Sequence, residues 1–130
     1  MLLPSSQIML IDYQDAVIGP LMYDIVSLLK DCYYLWPTAV SKQCLHYFCQ
    51  QMIHCDILPG DHPIYQRWFD WMGLQRHLKV LGIFSRLAYR DHKPHYLKYL
   101  PRVWHYALTV CTQYPELHPL VSLLNNRPPS

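Results

Sequence analysis

The sequence predicts a mainly α-helical domain that begins with a short β-hairpin and continues with five or six helices. Apolar residues make up 52% of the 130 residues, which is enough for one substantial core. After residue 20 they recur at intervals of three and four, the spacing that places side chains on one face of a helix. The 11 prolines divide this pattern into segments of helical length. One domain is therefore expected over residues 1–125, followed by a tail over residues 126–130.

The hairpin is predicted by two short apolar runs, at residues 1–3 and 8–11. The sequence PSSQ between them has the composition of a turn. Two strands alone rarely form a stable sheet, so the hairpin would have to pack on the helices. Gly19 and Pro20 then end the strand pattern, and Pro20 suits the first position of a helix.

The helical segments follow one another along the rest of the chain. They are expected over residues 20–36, 38–55, 63–91 and 102–112, with a last helix that ends near residue 124. The third segment would bury a stripe of large apolar side chains, namely Ile64, Trp68, Trp71, Met72, Leu78, Leu81 and Phe84. Trp68, Trp71 and Phe84 could instead stack on a sugar ring, although aromatic residues at helical spacing more often form core.

Two glycines interrupt the third segment. Gly73 and Gly82 each cost a helix roughly 1 kcal/mol relative to alanine. A helix that keeps them is expected to use the missing side chain, so we predict close packing against both positions.

Composition and charge exclude several classes of protein. The net charge of +2 is small and the basic residues are scattered, which does not suit a nucleic-acid surface. No apolar run approaches the ~20 residues of a membrane span, and the N-terminus lacks the pattern of a secretory signal. The five cysteines are odd in number and form no CxxC pair, which favours reduced thiols. A cytoplasmic protein without nucleic-acid or membrane partners is therefore expected.

A cluster of sulfur and imidazole side chains suggests a zinc site at first sight. Its members are Cys44, His46, Cys49, His54 and Cys55. In a helix, Cys44 and Cys55 would lie ~16 Å apart along the axis, at ~1.5 Å per residue. That separation is too large for one coordination sphere, so zinc is not expected here.

Three stretches of the sequence resemble a known enzyme family. They are IDYQDAVIGP at residues 11–20, YDIVSLLKDCY at residues 23–33 and GLQRHLKVLGIF at residues 73–84. Together they resemble the aminoglycoside phosphotransferase family, and within it the bacterial kinases that phosphorylate N-acetylmuramate and N-acetylglucosamine at the anomeric hydroxyl. The resemblance covers residues 1–106 and implies the C-terminal, helical lobe of a protein-kinase-like fold.

The resemblance assigns a metal-binding role to Asp12. In the family, the aspartate of this motif binds the Mg²⁺ that bridges the phosphates of ATP, and carboxylate oxygen is a ligand that Mg²⁺ prefers. Without the motif, Asp12 would be interpreted as a turn or capping residue, as Asp15 still is. Asp24 resembles the residue that braces the catalytic loop from the following helix. Magnesium and ATP are thus the implied cofactors of the intact enzyme.

Three further residues are candidates for binding the acceptor, which the resemblance implies is an amino sugar or an aminoglycoside. Asp31 lies seven residues after Asp24, so the two are expected on one helix face that borders the cleft. Arg76 and His77 are expected on the polar side of the third helix, where they could hold an acidic or acetylated sugar. A solvated surface without function is the alternative for both.

The family's catalytic aspartate is not found in this sequence. In the family it lies on an H-x-D-x-x-x-x-N loop that precedes the hairpin, and the resemblance leads us to expect that this sequence begins after that loop. A glycine-rich phosphate-binding loop is also missing, since the glycines stand only at positions 19, 60, 73 and 82. We therefore expect an acceptor-side fragment that alone is inactive, binds neither cofactor and self-associates through exposed apolar surface. The alternative is a non-catalytic helical module for binding or oligomerisation.

Overall fold

The computed structural model describes residues 17–126, and most of that part of the chain is helical. Five α-helices follow one another, and two short 3₁₀ helices precede the last two of them. Their bounds are α1, Tyr23–Leu29; α2, Thr38–His54; α3, Ile64–Tyr89; a 3₁₀ helix, Pro94–Tyr99; α4, Leu100–Gln113; a second 3₁₀ helix, Pro115–Leu117; and α5, His118–Asn125. Within these residues no helix combines the length and the apolar character needed to cross a membrane.

The predicted fold class included a β-hairpin, and the structure corrects this prediction. Residues 17–126 contain helices and no strand, so the mainly α prediction is confirmed and the hairpin is not part of the described fold. The two runs on which the hairpin was predicted, residues 1–3 and 8–11, lie outside the described residues. Within the described residues the apolar side chains recur at helical spacing, which is the physical reason that this part of the chain forms helices and no strand.

The first helix is shorter than predicted. α1 ends at Leu29 because the Asp31 carboxylate accepts hydrogen bonds from the backbone N–H groups of Tyr33 and Tyr34, which form a turn instead of another helical turn. Asp31 therefore lies after the helix, and the expected shared helix face of Asp24 and Asp31 is wrong. The second, third and fourth long helices begin and end within a few residues of their predicted bounds.

α3 contributes to three hydrophobic clusters along its length. Its first turns pack with α1 and α2 around Val26, its middle packs with α4 and α5, and its end packs with the start of α4. α3 buries Tyr65 and Phe69 in the first cluster, Leu74 in the second and Phe84 in the third. A helix of 26 residues is about 39 Å long at ~1.5 Å per residue, so α3 extends through the whole described part.

The buried face of α3 differs from the predicted stripe. Phe84 is buried as expected, but Trp68 is 46% exposed, and Trp71 and Leu78 are also exposed. The buried positions instead include Asp70 and His77, which are polar. An apolar stripe cannot reveal a face that contains internally hydrogen-bonded polar residues, which is why the predicted stripe is rotated away from the true one.

The two glycines of α3 have different surroundings. A methyl group on Gly73 would lie 3.5 Å from Cγ of Lys30, so the lysine stem packs directly on this position. A methyl group on Gly82 would meet no atom within 4 Å among the described residues. Because 3.5 Å is an ordinary van der Waals distance, space for a methyl group remains at Gly73, and the prediction of close packing stays unconfirmed there and is wrong for Gly82.

His77 connects the end of α1 to α3 and α4. It is 1% exposed, and its Nε2 lies 3.1 Å from the carbonyl oxygen of Lys30. Because a carbonyl only accepts, Nε2–H must donate this bond. The ring also stacks on Tyr106, with centroids 5.0 Å apart. The prediction of a solvated or sugar-facing His77 is thus corrected, since the side chain is enclosed between helices.

Burial also keeps the imidazole of His77 neutral. Removal from water lowers its pKa from the usual 6.5 to about 4, and the Lys30 carbonyl only partly opposes this effect. The buried Nδ1 has no hydrogen-bond partner among the described residues, so it is an acceptor that no protein donor uses.

The His77 ring should make stability depend on pH between about 4 and 6.5. In this window the unfolded chain binds a proton at His77 and the folded chain does not, so the free energy of unfolding should decrease as pH falls, by up to about 3 kcal/mol. Urea unfolding of the wild type and of His77→Gln at several pH values measures this, because glutamine can still donate to Lys30 but does not titrate. Equal pH dependence of the two proteins would contradict the prediction.

The apolar core that α1 shares with α2 and α3 should contribute measurably to the free energy of unfolding. Val26 is 0% exposed, so Val26→Ala should lower the free energy of unfolding by about 2 kcal/mol through lost burial and a residual cavity. Val17 is 89% exposed, and Val17→Ala is the matched control that should change stability by less than about 0.5 kcal/mol. Chemical denaturation followed by circular dichroism compares them, and equal losses would show that α1 does not contribute this core.

Candidate functional site

A cavity of about 440 Å³ opens where the end of α1, the start of α2, α3 and α4 meet. This volume is within the usual range of ligand cavities, ~300–1,000 Å³. The residues that line it are Leu29, Lys30, Leu35, Trp36, Thr38, Ser41, Lys42, Leu45, Gln66, Phe69, Asp70, His105, Tyr106, Thr109, Val110 and Gln113. Because four helices contribute, the cavity exists only when α1 and α2 are docked on α3 and α4.

The buried carboxylate of Asp70 lies at one wall of this cavity. It is 4% exposed and accepts hydrogen bonds from Gln66 Nε2 at 3.0 Å and from the Tyr114 hydroxyl at 2.9 Å. The Lys30 ammonium forms an ion pair with it at 3.4 Å. Burial and the bond to Asp70 raise the pKa of Tyr114 to about 12, so this hydroxyl remains a donor at neutral pH. A buried carboxylate needs such partners, and here they come from three segments of the chain.

Lys30 is held in place along its whole length. Its stem crosses Gly73, and its Nζ lies 5.0 Å from the centroid of the Phe69 ring, a cation–π distance. Its backbone carbonyl is bound by His77. An ammonium group has three N–H donors, and Asp70 is its hydrogen-bond partner among the described residues, so donors can remain for a ligand in the cavity.

The other walls combine aromatic rings with neutral polar groups. Trp36 is fixed by a hydrogen bond from Nε1 to the carbonyl oxygen of Leu28, at 2.9 Å, and Tyr106 is fixed by its stacking on His77. Hydroxyl and amide side chains from α2, α3 and α4 lie between the rings, namely Thr38, Ser41, Gln66, Thr109 and Gln113. Rings can cover the C–H faces of a sugar, and hydroxyls and amides can bind its oxygens.

The predicted site residues that the structure describes do not line this cavity. Asp24 lies exposed in the first turn of α1, Asp31 forms the turn after α1, and Arg76 is half-buried on α3. His77 touches the site indirectly, through the carbonyl of Lys30 and the ring of Tyr106. Asp12 lies outside the described residues. Among the described candidates, none lines the cavity.

Sequence reasoning missed the residues that the structure does bring together, Lys30, Gln66 and Asp70. A signal existed for Asp70, because this charged residue stands inside the otherwise apolar run WFDWMG of α3. An acidic residue there must either face water or be paired. Its partner Lys30 lies 40 positions earlier, and only the packed helices reveal the pair.

Trp68 and Trp71 line a different, mostly apolar groove of about 480 Å³ with Pro20, Met22 and Met72. The Arg67 guanidinium lies 4.5 Å from the centroid of the Trp71 ring. Both tryptophans are exposed, so their core interpretation is wrong. Neither lines the cavity between α1, α2, α3 and α4, so nothing there supports stacking on a sugar. The predicted self-association through exposed apolar surface stays a prediction.

The cysteine and histidine cluster does not form a metal site in the described part of the chain. Residues 17–126 contain no group of three His, Cys, Asp or Glu side chains placed to hold a metal ion. Cys49 is buried, and burial raises the pKa of its thiol, whereas Cys55 is exposed. The cluster extends from Cys44, in the middle of α2, to Cys55, directly after the end of the helix.

Comparison with known proteins relates the chain to bacterial sugar kinases. It is 44% identical over 115 residues to the N-acetylmuramate/N-acetylglucosamine kinase of Neisseria meningitidis, 43% identical over 115 residues to that of Pseudomonas putida and 40% identical over 119 residues to that of Pseudomonas aeruginosa. These matches cover 88%, 88% and 91% of the chain but 34%, 34% and 35% of the relatives.

No family model and no solved structure matches the chain. The resemblance to the aminoglycoside phosphotransferase family therefore stays a prediction. The chain spans about a third of the length of the curated relatives that it matches. Within that span it is related by sequence to proteins that are named as kinases of two amino sugars.

Proposed function

We propose that this chain forms the acceptor-binding part of an ATP-dependent kinase of amino sugars. The observation that carries the proposal is its identity of 40–44% to three relatives named as kinases of N-acetylmuramate and N-acetylglucosamine. A kinase of this kind transfers the γ-phosphoryl group of ATP to a hydroxyl of the sugar. Because the chain spans a third of its relatives, phosphoryl transfer is proposed for the whole protein and sugar binding for the described helices.

The cavity between α1, α2, α3 and α4 is the proposed sugar site. Its volume of about 440 Å³ and its mixture of rings, hydroxyls and amides support a polar, ring-shaped ligand. The Lys30 ammonium is a charged donor at its wall, and Asp70 fixes that ammonium in position. Sugar binding by Lys30 would use N–H groups that the ion pair leaves free.

Binding of Mg²⁺ and ATP by the intact protein is proposed from the sequence motif alone. Asp12 is proposed as a Mg²⁺ ligand on its motif alone and lies outside the described residues. Within residues 17–126 no side-chain cluster fits a metal, so no described residue is assigned to it. Magnesium, where bound, would neutralise charge on the phosphates of ATP. The bracing role of Asp24 is likewise proposed from the motif.

Sugar binding to the chain can be tested with a variant of Lys30. Lys30→Met removes the ammonium and keeps a stem that can pack on Gly73. Loss of a charged hydrogen bond should weaken N-acetylglucosamine binding about tenfold, measured as a Kd by NMR titration. Lys79→Met is the matched control, because Lys79 is exposed on α3 and does not line the cavity.

Two results would contradict the proposed function. The first is the absence of saturable binding of either amino sugar to the wild-type chain. The second is equal weakening by Lys30→Met and Lys79→Met, which would place the sugar outside this cavity. A circular dichroism spectrum of each variant shows that the helices are retained.

A further inference from the structure

The side chains that line the cavity include more basic groups than carboxylates. Among the residues that line it, Asp70 carries the one carboxylate, while Lys30, Lys42 and His105 carry the basic groups. Asp70 and Lys30 neutralise each other at 3.4 Å. Lys42 forms no ion pair within residues 17–126, and Asp61, which lines a neighbouring cavity with it, is not its partner. The other ammonium group of the lining is that of Lys42, whose side chain is exposed at the rim of the cavity.

The backbone around Lys42 favours an anion as well. α2 begins directly after Pro37, without a side-chain cap and without an acidic residue in its first turn. Helical N-termini carry a partial positive charge and unsatisfied N–H groups. Thr38 and Lys42 are four positions apart, so they share one face of α2, and both line the cavity with Ser41. The rim of the cavity at the start of α2 is thus positive.

The two sugars in the names of the relatives differ in charge. N-acetylmuramate is N-acetylglucosamine with a lactyl ether that ends in a carboxylate, whereas N-acetylglucosamine is neutral. A cavity that accepts both must bind the common ring and also compensate an anion that is present in only one of them. A basic residue at the rim, without a carboxylate partner of its own, meets that requirement.

We propose that Lys42, with the first turn of α2, binds the carboxylate of N-acetylmuramate and thereby lets one cavity accept both sugars. This inference rests on the proposed function, since it takes the same cavity as the sugar site. Lys42 is a specificity residue in this scheme and does not contact the common ring. Lys30 and Asp70 would serve both sugars equally.

Lys42→Met tests the proposal with each sugar in turn. The variant should bind N-acetylmuramate about tenfold more weakly, because a charge-assisted bond is lost, and should bind N-acetylglucosamine within about twofold of the wild type. Lys42→Arg should retain both affinities. Lys79→Met, which changes an exposed charge on α3 outside the cavity, should leave both Kd values unchanged. Rising salt should weaken N-acetylmuramate binding more than N-acetylglucosamine binding.

The outcomes separate this inference from the function on which it rests. If both sugars bind the wild type and Lys42→Met weakens both equally or neither, the role of Lys42 is overturned and the sugar site stands. If neither sugar binds the wild type, the proposed function falls and the inference falls with it. Selective loss of N-acetylmuramate binding in Lys42→Met, with unchanged binding in Lys79→Met, supports the sugar site and the role of Lys42.

Discussion

The cavity is built around one interaction, the ion pair between Asp70 on α3 and Lys30 at the end of α1. A carboxylate removed from water costs several kcal/mol unless cations and donors compensate it. Asp70 is compensated by Lys30, Gln66 and Tyr114, which lie on different segments of the chain. The position of α1 is thereby tied to α3, and the cavity that the two helices share with α2 and α4 takes its shape from that tie.

Lys30 is constrained from both ends, and this gives the cavity a fixed donor. His77 binds its backbone carbonyl, Gly73 accepts its stem, and Asp70 holds its ammonium. All three constraining residues belong to α3. A donor that is already oriented loses little conformational freedom when a ligand binds, which favours recognition of small polar molecules. The relatives are named as kinases of amino sugars, and the polar groups of this cavity suit the sugar site that we propose.

Apolar spacing and proline positions were enough to predict α2, α3 and α4, because those signals are local. The buried face of α3 could not be predicted in that way, since Asp70 and His77 occupy it and Trp68 does not. The Lys30–Asp70 pair depends on packing between distant segments and left no local pattern at Lys30. The relationship to sugar kinases was predictable from the stretches around Asp24 and Gly73, because the comparisons agree with that resemblance.

The path of α3 through three hydrophobic clusters has a consequence for how the chain unfolds. Each cluster uses a different part of the same continuous helix, at Phe69, Leu74 and Phe84. Melting one cluster would expose apolar surface and break the backbone ladder that supports the next. Opening one cluster is therefore expected to weaken the next, because both pack on the same continuous helix.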